Sequence, residues 1–422
     1  MRISMIGPFG LQPKGTMSVR AVPLARALVQ RGHAVRVIVP PWDHVEDAGR
    51  RMQDAGVEIE NIELPPSTPG WFHLNVTRSL VKCALDFKPD VVHCFKPKAY
   101  AGLSAWTLWQ MKRLGRVKAR LIVDTDDWEG AGGWNDRGEQ GSGIGDQGSG
   151  NGERVPISNL QLPTSNLRYS WVQKRMFAWQ EQWGLTHNDG VTVASRALES
   201  IVWSLGVKRD RVAYVPNGIH NAQFTMHSAQ SILHNDSPDE LRVLLYTRFF
   251  EFKVERVIEV LRRVIAQVPD ARLLVVGKGF FGEEERLLRQ AEAIGLRGSI
   301  EYAGWTQPEL LPEMFARSSV ALFPFDDTLI NRTKCSVKLI DLLAAGVPVV
   351  ADAVGQNAEY IRHNDTGVLV PAGDMDVMAQ AVVDLWRDAT RREQLGAAAA
   401  RDVRERFNWE RLAAVVERFY AG

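Results

Sequence analysis

Short apolar runs bounded by glycine and polar turns recur along the whole chain and alternate with segments of helical period. In the first half, Arg2 to Ile6 predicts a strand, Val19 to Arg31 a helix stopped at Gly32, and Ala34 to Val39 the next strand. Asp90 to Cys94, Arg120 to Val123 and Gly190 to Ala194 predict further strands. In the second half the pattern repeats at Leu241 to Tyr246, Ala271 to Val276, Ser299 to Tyr302, Val320 to Phe323 and Val347 to Ala351. Strands that alternate with helices imply two parallel-sheet α/β domains. Residues 1–220 and 241–406 are assigned to them, and the polar, aperiodic stretch 221–240 to a linker. A last helix, Phe407 to Tyr420, is expected to cross back to the first lobe.

Chemistry enters most clearly at NRTKCSVKLIDLLAAGVPVVAD, residues 331–352, where a polar loop, a helix and a buried strand follow one another. Val337, Leu339, Ile340, Leu342 and Leu343 give the helix an apolar face, and Gly346 is placed to cap its C-terminus. Ser336 then falls at the N-terminus, where free backbone N–H groups and the helix dipole suit an anion such as a nucleotide diphosphate. Asp341, one turn on, is placed to accept ribose hydroxyls. An ordinary loop-helix-strand unit of an α/β domain is the plain alternative.

At 422 residues the chain exceeds one core, and 45% hydrophobic with 24% charged residues is a soluble globular composition. No apolar run reaches the roughly 18 residues that span a bilayer, and MRISMIGPFG reads as a strand and glycine turn, so a cytoplasmic protein is expected. Cys83, Cys94 and Cys335 show neither disulfide nor metal spacing and are expected as reduced, mostly buried thiols. Charge is uneven: residues 1–220 carry 27 Lys and Arg against 21 Asp and Glu, residues 221–422 carry 24 against 29. Lys112, Arg113, Arg116, Lys118 and Arg120 follow the aromatic stretch Tyr100 to Met111, which suits either an anionic membrane surface or a solvated helix face. No nucleic-acid partner is expected.

Residues 130–152 hold ten glycines and almost no aliphatic side chains, directly after a strand end, and read either as a lid over a second substrate or as an inert insertion. Leu167 to Trp183 predicts an amphipathic helix whose Tyr169, Trp171, Phe177, Trp179 and Trp183 are expected in the core. A glycine loop, Gly7 to Gly10 and Lys14-Gly15-Thr16, joins the first strand to the first helix and would let backbone approach a phosphate. Gly277 to Gly282 matches the dinucleotide fingerprint, but the next strand ends at Ala303-Gly304 without the acid that grips a ribose, which argues against an oxidoreductase. Arg248 and Lys253 follow the first strand of the second domain and could neutralise a diphosphate leaving group. Asp124, Asp126 and Asp127 crowd one strand end, where a cation, a metal, sugar hydroxyls or a turn would relieve their repulsion.

Together these residues resemble the family 4 retaining glycosyltransferases (group 1 type), whose GT-B fold sets two Rossmann-like domains face to face. The resemblance runs through MRISMIGPF with Gly15, RGHAVRVIV, Val215-Pro216-Asn217-Gly218-Ile219, Arg248 with Lys253, LLVVGKG, IEYAGW, ALFPF, LIDLLAAGVPVVAD and GVLVPAGD. It implies transfer of a sugar, with retention, from a UDP- or GDP-linked donor to a glycan, lipid-linked or small-molecule acceptor. The nucleotide sugar is a co-substrate, and no resident cofactor or metal is required.

By the same resemblance Arg248 and Lys253 hold the donor diphosphate, Thr306 lies in the loop that holds the base, and Gly15 approaches the phosphates. Ser336 and Val337 offer backbone to the diphosphate or sugar. The family's Glu-x7-Glu motif is altered here: Asp341 keeps the ribose-binding carboxylate, while Thr333 replaces the first Glu, leaving Asn331, Arg332 or Lys334 to meet the sugar. Asp126-Asp127 stand where many relatives have His-Asp, so catalytic roles fall to Arg248, Lys253, Asp126 and Asp127. The altered motif leaves open a sugar-nucleotide epimerase of the same fold or a non-catalytic sugar-nucleotide-binding protein.

Overall fold

A computed structural model describes residues 1–11, 15–42, 44–66, 71–134, 171–219, 241–279 and 281–422. Most of the glycine-rich stretch 130–152, the linker 221–240, the first turn expected at Leu167, Lys14 and Phe280 lie outside the described residues.

The first lobe is built on strands β1 (Arg2–Ile6), β2 (Ala34–Val39), β3 (Arg51–Asp54), β4 (Val57–Asn61), β5 (Val91–Phe95), β6 (Arg120–Thr125), β7 (Gly190–Val193) and β8 (Val212–Tyr214). They form one sheet in the order β3-β4-β2-β1-β5-β6-β7-β8, parallel except where β3 pairs antiparallel with β4. The second lobe holds β9 (Arg242–Tyr246), β10 (Arg272–Val276), β11 (Ile300–Gly304), β12 (Val320–Phe323), β13 (Val349–Asp352) and β14 (Val368–Val370), all parallel, in the order β11-β10-β9-β12-β13-β14. β13 starts one residue after Pro348, which lacks the N–H a ladder needs; its carbonyl still accepts from Ala321.

Central strands such as β5 and β12 are buried along their whole length because helices cover both faces of each sheet, which is why they read as unbroken apolar runs. Loops at the carboxyl ends of the parallel strands are where such sheets bind ligands. Two glycines set those ends. A Cβ on Gly7 would lie 2.7 Å from Met17 Sδ, so a larger residue there would have to displace the Met17 side chain that packs under the loop after β1. Gly277, at φ 130°, packs so close to β9 that a Cβ would sit 1.8 Å from the Thr247 carbonyl oxygen, and its N–H donates to Gly304 (2.7 Å). The fingerprint-like Gly277 is thus fully used by strand-end packing.

The helix Trp409–Ala421 packs on Val22–Gln30 of the first lobe and buries Trp409, Leu412, Ala413, Val416 and Tyr420 in that lobe's core. A bridge between Ile219 and Asn408 marks where the chain passes between lobes.

The aromatic stripe departs from expectation. In the helix Trp171–Thr186 Phe177 is buried, but Trp171 is 69% and Trp179 53% exposed, because the helix turns only Phe177, Gln180, Glu181, Gly184 and Leu185 inward. Cys94 is buried, Cys83 and Cys335 half-buried, and all three are free thiols. No helix among the described residues is long and apolar enough to cross a membrane.

Candidate active site

At the carboxyl end of β9 the chain turns sharply: Phe249 takes φ 67°, and its N–H donates to Thr247 Oγ1 (2.8 Å). That turn presents Arg248 to solvent while burying Glu251. Lys334 forms an ion pair with Glu251 and lies 3.8 Å from the Phe250 ring centroid. Burial alone would raise the Glu251 pKa, but Lys334, with Lys338 beyond it, holds it below the usual carboxylate value.

Lys338 projects from the first turn of the helix Val337–Ala344 and stands 3.5 Å over the Tyr246 ring. Burial, reinforced by Arg248, pushes its pKa down to about 7. Asp341, one turn on, is pushed up to about 7 by burial, with Lys338 opposing. Arg248, Lys334, Lys338, Glu251 and Asp341 therefore form one electrostatic cluster. Lys253 sits apart from it, exposed at the N-cap of Val254–Ile265, with its N–H donating to Asp326 (3.0 Å). Thr306 follows β11, two strands from β9, and its hydroxyl donates to the Gly304 carbonyl (3.4 Å).

Ser336 caps the helix, its Oγ accepting from Leu339 N–H, while its own N–H donates to Gln356 Oε1 (3.0 Å). Among the described residues the N–H groups of Val337 and Lys338 are left without an acceptor, and they are the donors an anion would use. Thr333 is a different matter. It is fully buried, and its hydroxyl lies 2.9 Å from the Leu329 carbonyl and 3.1 Å from that of Ile330. The structure does not turn its side chain toward the cleft, because the short helix Leu329–Thr333 consumes the hydroxyl. The proposed substitutes are engaged too: Asn331 Nδ2 donates to the Glu251 and Asp326 carbonyls, Arg332 pairs with Asp327, and Lys334 with Glu251.

The same segment is tied to the first lobe. Ser195 Oγ donates to the Thr333 carbonyl (2.8 Å), Gln356 Nε2 to that of Ala194 (2.6 Å), and Tyr360 OH to that of Asn217 (3.2 Å). Tyr214 OH and the Arg196 N–H both reach Glu359. Across the cleft mouth Trp134 packs edge-on against Phe250, centroids 5.3 Å apart.

Opposite stands the first lobe's acidic strand end. Lys96 Nζ lies 3.0 Å from Asp127 and 3.5 Å from both Asp126 and Glu129. Burial alone would lower the Lys96 pKa, but those three carboxylates hold it well above its ordinary value. Burial raises Asp127 against the pull of Lys96. Thr16 Oγ1 donates to Asp126 Oδ2 (3.1 Å), whereas Asp126 Oδ1 is buried with no hydrogen-bond partner among the described residues. Glu181, pushed up to about 8 by burial and by Glu129, supports the loop by accepting from Thr125 Oγ1 (3.0 Å) and Glu129 N–H (2.6 Å). Gly15 is exposed at the helix entry, and a Cβ there would meet only Val19, at 3.7 Å.

Asp124 is not part of that open cluster. Arg20, buried by the turn 17–21, donates to both its oxygens (2.7 and 2.6 Å), and Thr192 Oγ1 adds a third bond (2.6 Å). Behind it His93, its pKa pushed down to about 3 chiefly by burial, lies 3.0 Å from Thr192 Oγ1 and 2.6 Å from Tyr420 OH. The three aspartates that crowd this strand end are thus divided: Asp124 pairs with Arg20 in the core, and Asp126 and Asp127 gather around Lys96.

Two facing parallel-sheet lobes, with cations and an open helix N-terminus at the carboxyl ends of the second sheet, define a glycosyltransferase of the GT-B architecture. The fold is shared with sucrose-phosphate synthase from Thermosynechococcus elongatus, at a TM-score of 0.70 and 19% identity over 100% of this chain and 98% of that one. Residues 15–218 match the family described as "Glycosyl transferase 4-like domain" and residues 241–388 that described as "Glycosyl transferases group 1". The chain belongs to this family, the group 1 glycosyltransferases of family 4. A phosphatidyl-myo-inositol mannosyltransferase of Mycobacterium leprae is 25% identical over 100% of this chain and 96% of its own length. A GDP-mannose-dependent alpha-(1-6)-phosphatidylinositol monomannoside mannosyltransferase of Mycobacterium tuberculosis is 30% identical over 37% of this chain and 40% of its own.

Proposed function

We propose that this glycosyltransferase moves a hexose, with retention of anomeric configuration, from a nucleoside-diphosphate sugar to a hydroxyl of a glycan, glycolipid or small polyol. The observation that carries the reading is the convergence of Arg248, Lys338 and the open N–H groups of Val337 and Lys338 on one spot beside Asp341. A diphosphate leaving there would meet fixed positive charge and oriented dipoles, the arrangement that stabilises charge developing in a transition state. Asp341 would accept from the ribose, and Gly15 would let the first lobe's loop approach the phosphates. Lys253, at the next helix N-terminus, adds a third cation at the carboxyl end of the same sheet.

Across the cleft Asp126 and Asp127 would accept hydroxyl protons of the sugar or acceptor, held in place by Lys96. Attack from the face the diphosphate vacates, with a phosphate oxygen taking the acceptor proton, balances the step without a resident metal or other cofactor. Two relatives named as mannosyltransferases make GDP-mannose the first donor to try, with UDP-hexoses next. A cytoplasmic setting belongs to this reading, since it would keep the free thiols of Cys83, Cys94 and Cys335 reduced. Non-catalytic binding of a nucleotide sugar is the second reading, favoured by Thr333, whose side chain is spent within its own helix.

The test is donor turnover with and without candidate acceptors, with the product anomer read by NMR. Arg248→Ala should lower turnover by about a hundredfold or more at unchanged melting temperature. Near-normal turnover in that variant, or an inverted product, overturns the reading; tight donor binding without turnover favours the second one.

A further inference from the structure

On the outer side of the first lobe three neighbouring helices, Trp71–Asp86, Ala99–Arg113 and Trp171–Thr186, pack side by side. Each connects parallel strands, so its N-terminal end lies at the carboxyl side of the sheet, beside the cleft. That end is unusually apolar for a surface. Trp71 is 64% exposed, Leu74 63% and Trp171 69%, with Trp106, Met176 and Trp179 also exposed further along. Isolated exposed apolar side chains are ordinary, but four exposed tryptophans on adjacent helices form a patch that marks a contact surface.

The charge around it has one sign. In their cleft-side halves the three helices carry Arg78, Lys174 and Arg175 and no acid; Lys82, Lys112 and Arg113 lie in the far halves with Asp86 and the buried Glu181, and Lys112 is paired with Asp189. The Arg175 guanidinium lies 4.9 Å over the Trp171 ring, leaving a cation beside an exposed indole. Tryptophan with Arg or Lys is the pairing that favours the headgroup layer: the indole body enters the acyl boundary while cations meet lipid phosphates.

We propose that this face seats the first lobe on an anionic lipid surface, with the helix ends at Trp71 and Trp171 dipping into the headgroup layer and the cleft opening beside them. Seated this way, the cleft receives an acceptor presented from the membrane plane without the protein crossing it. The proposal is independent of the transferase chemistry.

The full chain should co-sediment with vesicles of phosphatidylcholine containing about a third phosphatidylglycerol, bind pure phosphatidylcholine far more weakly, and release as ionic strength rises. Its tryptophan emission should shift to the blue on binding, and brominated acyl chains should quench it. Trp171→Ser with Trp179→Ser should abolish the shift and most of the binding. As both side chains are more than half exposed, the variant's melting temperature should stay that of the parent. Arg78→Gln with Arg175→Gln, which leaves every tryptophan in place, should weaken partitioning by roughly 25-fold, about fivefold per charge. Equal binding of wild type and both variants, or no binding to anionic vesicles, overturns the proposal. So does a wild-type dimer that Trp171→Ser with Trp179→Ser dissociates, since the patch would then belong to a second copy.

Discussion

Lys338 offers the sharpest test of the donor site because its charge is held in check by its surroundings. The ammonium sits in the first turn of a helix, where the dipole disfavours a cation. It faces Tyr246 and Arg248 from the end of β9, Glu251 from the following loop, Lys334 from the preceding segment and Asp341 from its own helix. Burial and Arg248 together bring it from 10.5 to about 7. A nucleoside diphosphate bound between Arg248 and the helix end would bring negative charge that outweighs both causes and restores the proton. Above pH 7 each binding event must then draw a proton from solution, and affinity falls by up to tenfold per pH unit. With the free lysine half-charged near pH 7 and almost neutral at pH 9, the Kd for UDP or GDP should rise by roughly fiftyfold across that interval.

Asp341 complicates the measurement below pH 8, because it titrates near 7 as well and would lose its proton on accepting a ribose hydroxyl. At pH 8.5 that carboxyl is already ionised and only Lys338 responds. Calorimetric titration with UDP and GDP at pH 8.5, in two buffers of different ionisation heat, should give close to one proton taken up per nucleotide bound. Lys338→Arg should bind with no proton uptake and little pH dependence. Nucleotide binding with no proton uptake refutes the role of Lys338, whereas no nucleotide binding at any pH refutes the donor site itself.

Four further outcomes follow from the same geometry. Gly15→Val should weaken nucleotide binding at least tenfold while leaving the melting temperature within about a degree, since the space beside Gly15 is open but for Val19; equal loss of both would make the glycine structural. Gly277→Ala should destabilise the second lobe by several kcal/mol, read by denaturant unfolding, because its Cβ would meet the Thr247 carbonyl at 1.8 Å. Arg20→Met should cost about 3–5 kcal/mol by leaving buried Asp124 without its cation, and Asp124→Asn in the same chain should recover part of that loss. Glu181 holds its proton to about pH 8 when folded against 4.5 as a free side chain, so its contribution is complete below pH 4.5 and is lost as pH rises to 8. Glu181→Gln should therefore gain on the parent across that window, by up to about 4 kcal/mol at pH 8.

How much of this was legible in the sequence depends on what each residue buries. β1, β2, β5, β6, β9, β10, β12 and β13 lie in mainly apolar runs because both faces are covered, whereas β11 is an edge strand whose burial alternates along IEYAG. β3 and β4 were missed: RMQD is an exposed edge and VEIEN carries the buried Glu60 and Asn61, so neither shows an apolar run. β8 and β14 are three residues each, too short to register a period. Strand-end placement pointed to Arg248 and Asp126, and the helix N-terminus to Ser336 and Asp341. Neither could show that Thr333 folds its hydroxyl back on its own helix or that Asp124 belongs to Arg20. Lys338 and Glu251 did leave a signal: one is a lysine opening an apolar helix, the other an acid set among aromatics in FFEFK. The exposed tryptophans were misjudged because a stripe of aromatic residues looks the same whether it faces the sheet or the solvent.

The ties between the lobes give the site its last property. Gln356 accepts from Ser336 at the helix end and donates to Ala194 of the first lobe, so one buried amide spans both sides. Ser195 Oγ, meanwhile, holds the carbonyl of Thr333, three residues before that end. Any movement that opens the cleft must break these bonds in a buried setting, where each unpaired group costs roughly 1–3 kcal/mol. The helix that offers Val337 and Lys338 N–H groups to an anion is therefore held in position by the closed arrangement. On the proposed function, diphosphate affinity there would depend on lobe closure rather than on the second lobe alone. Gln356→Ala should weaken nucleotide binding without touching a ligand contact, and should do so less in a chain whose lobes are cross-linked closed. Equal weakening in both would show that Gln356 acts only on the local geometry of the helix end.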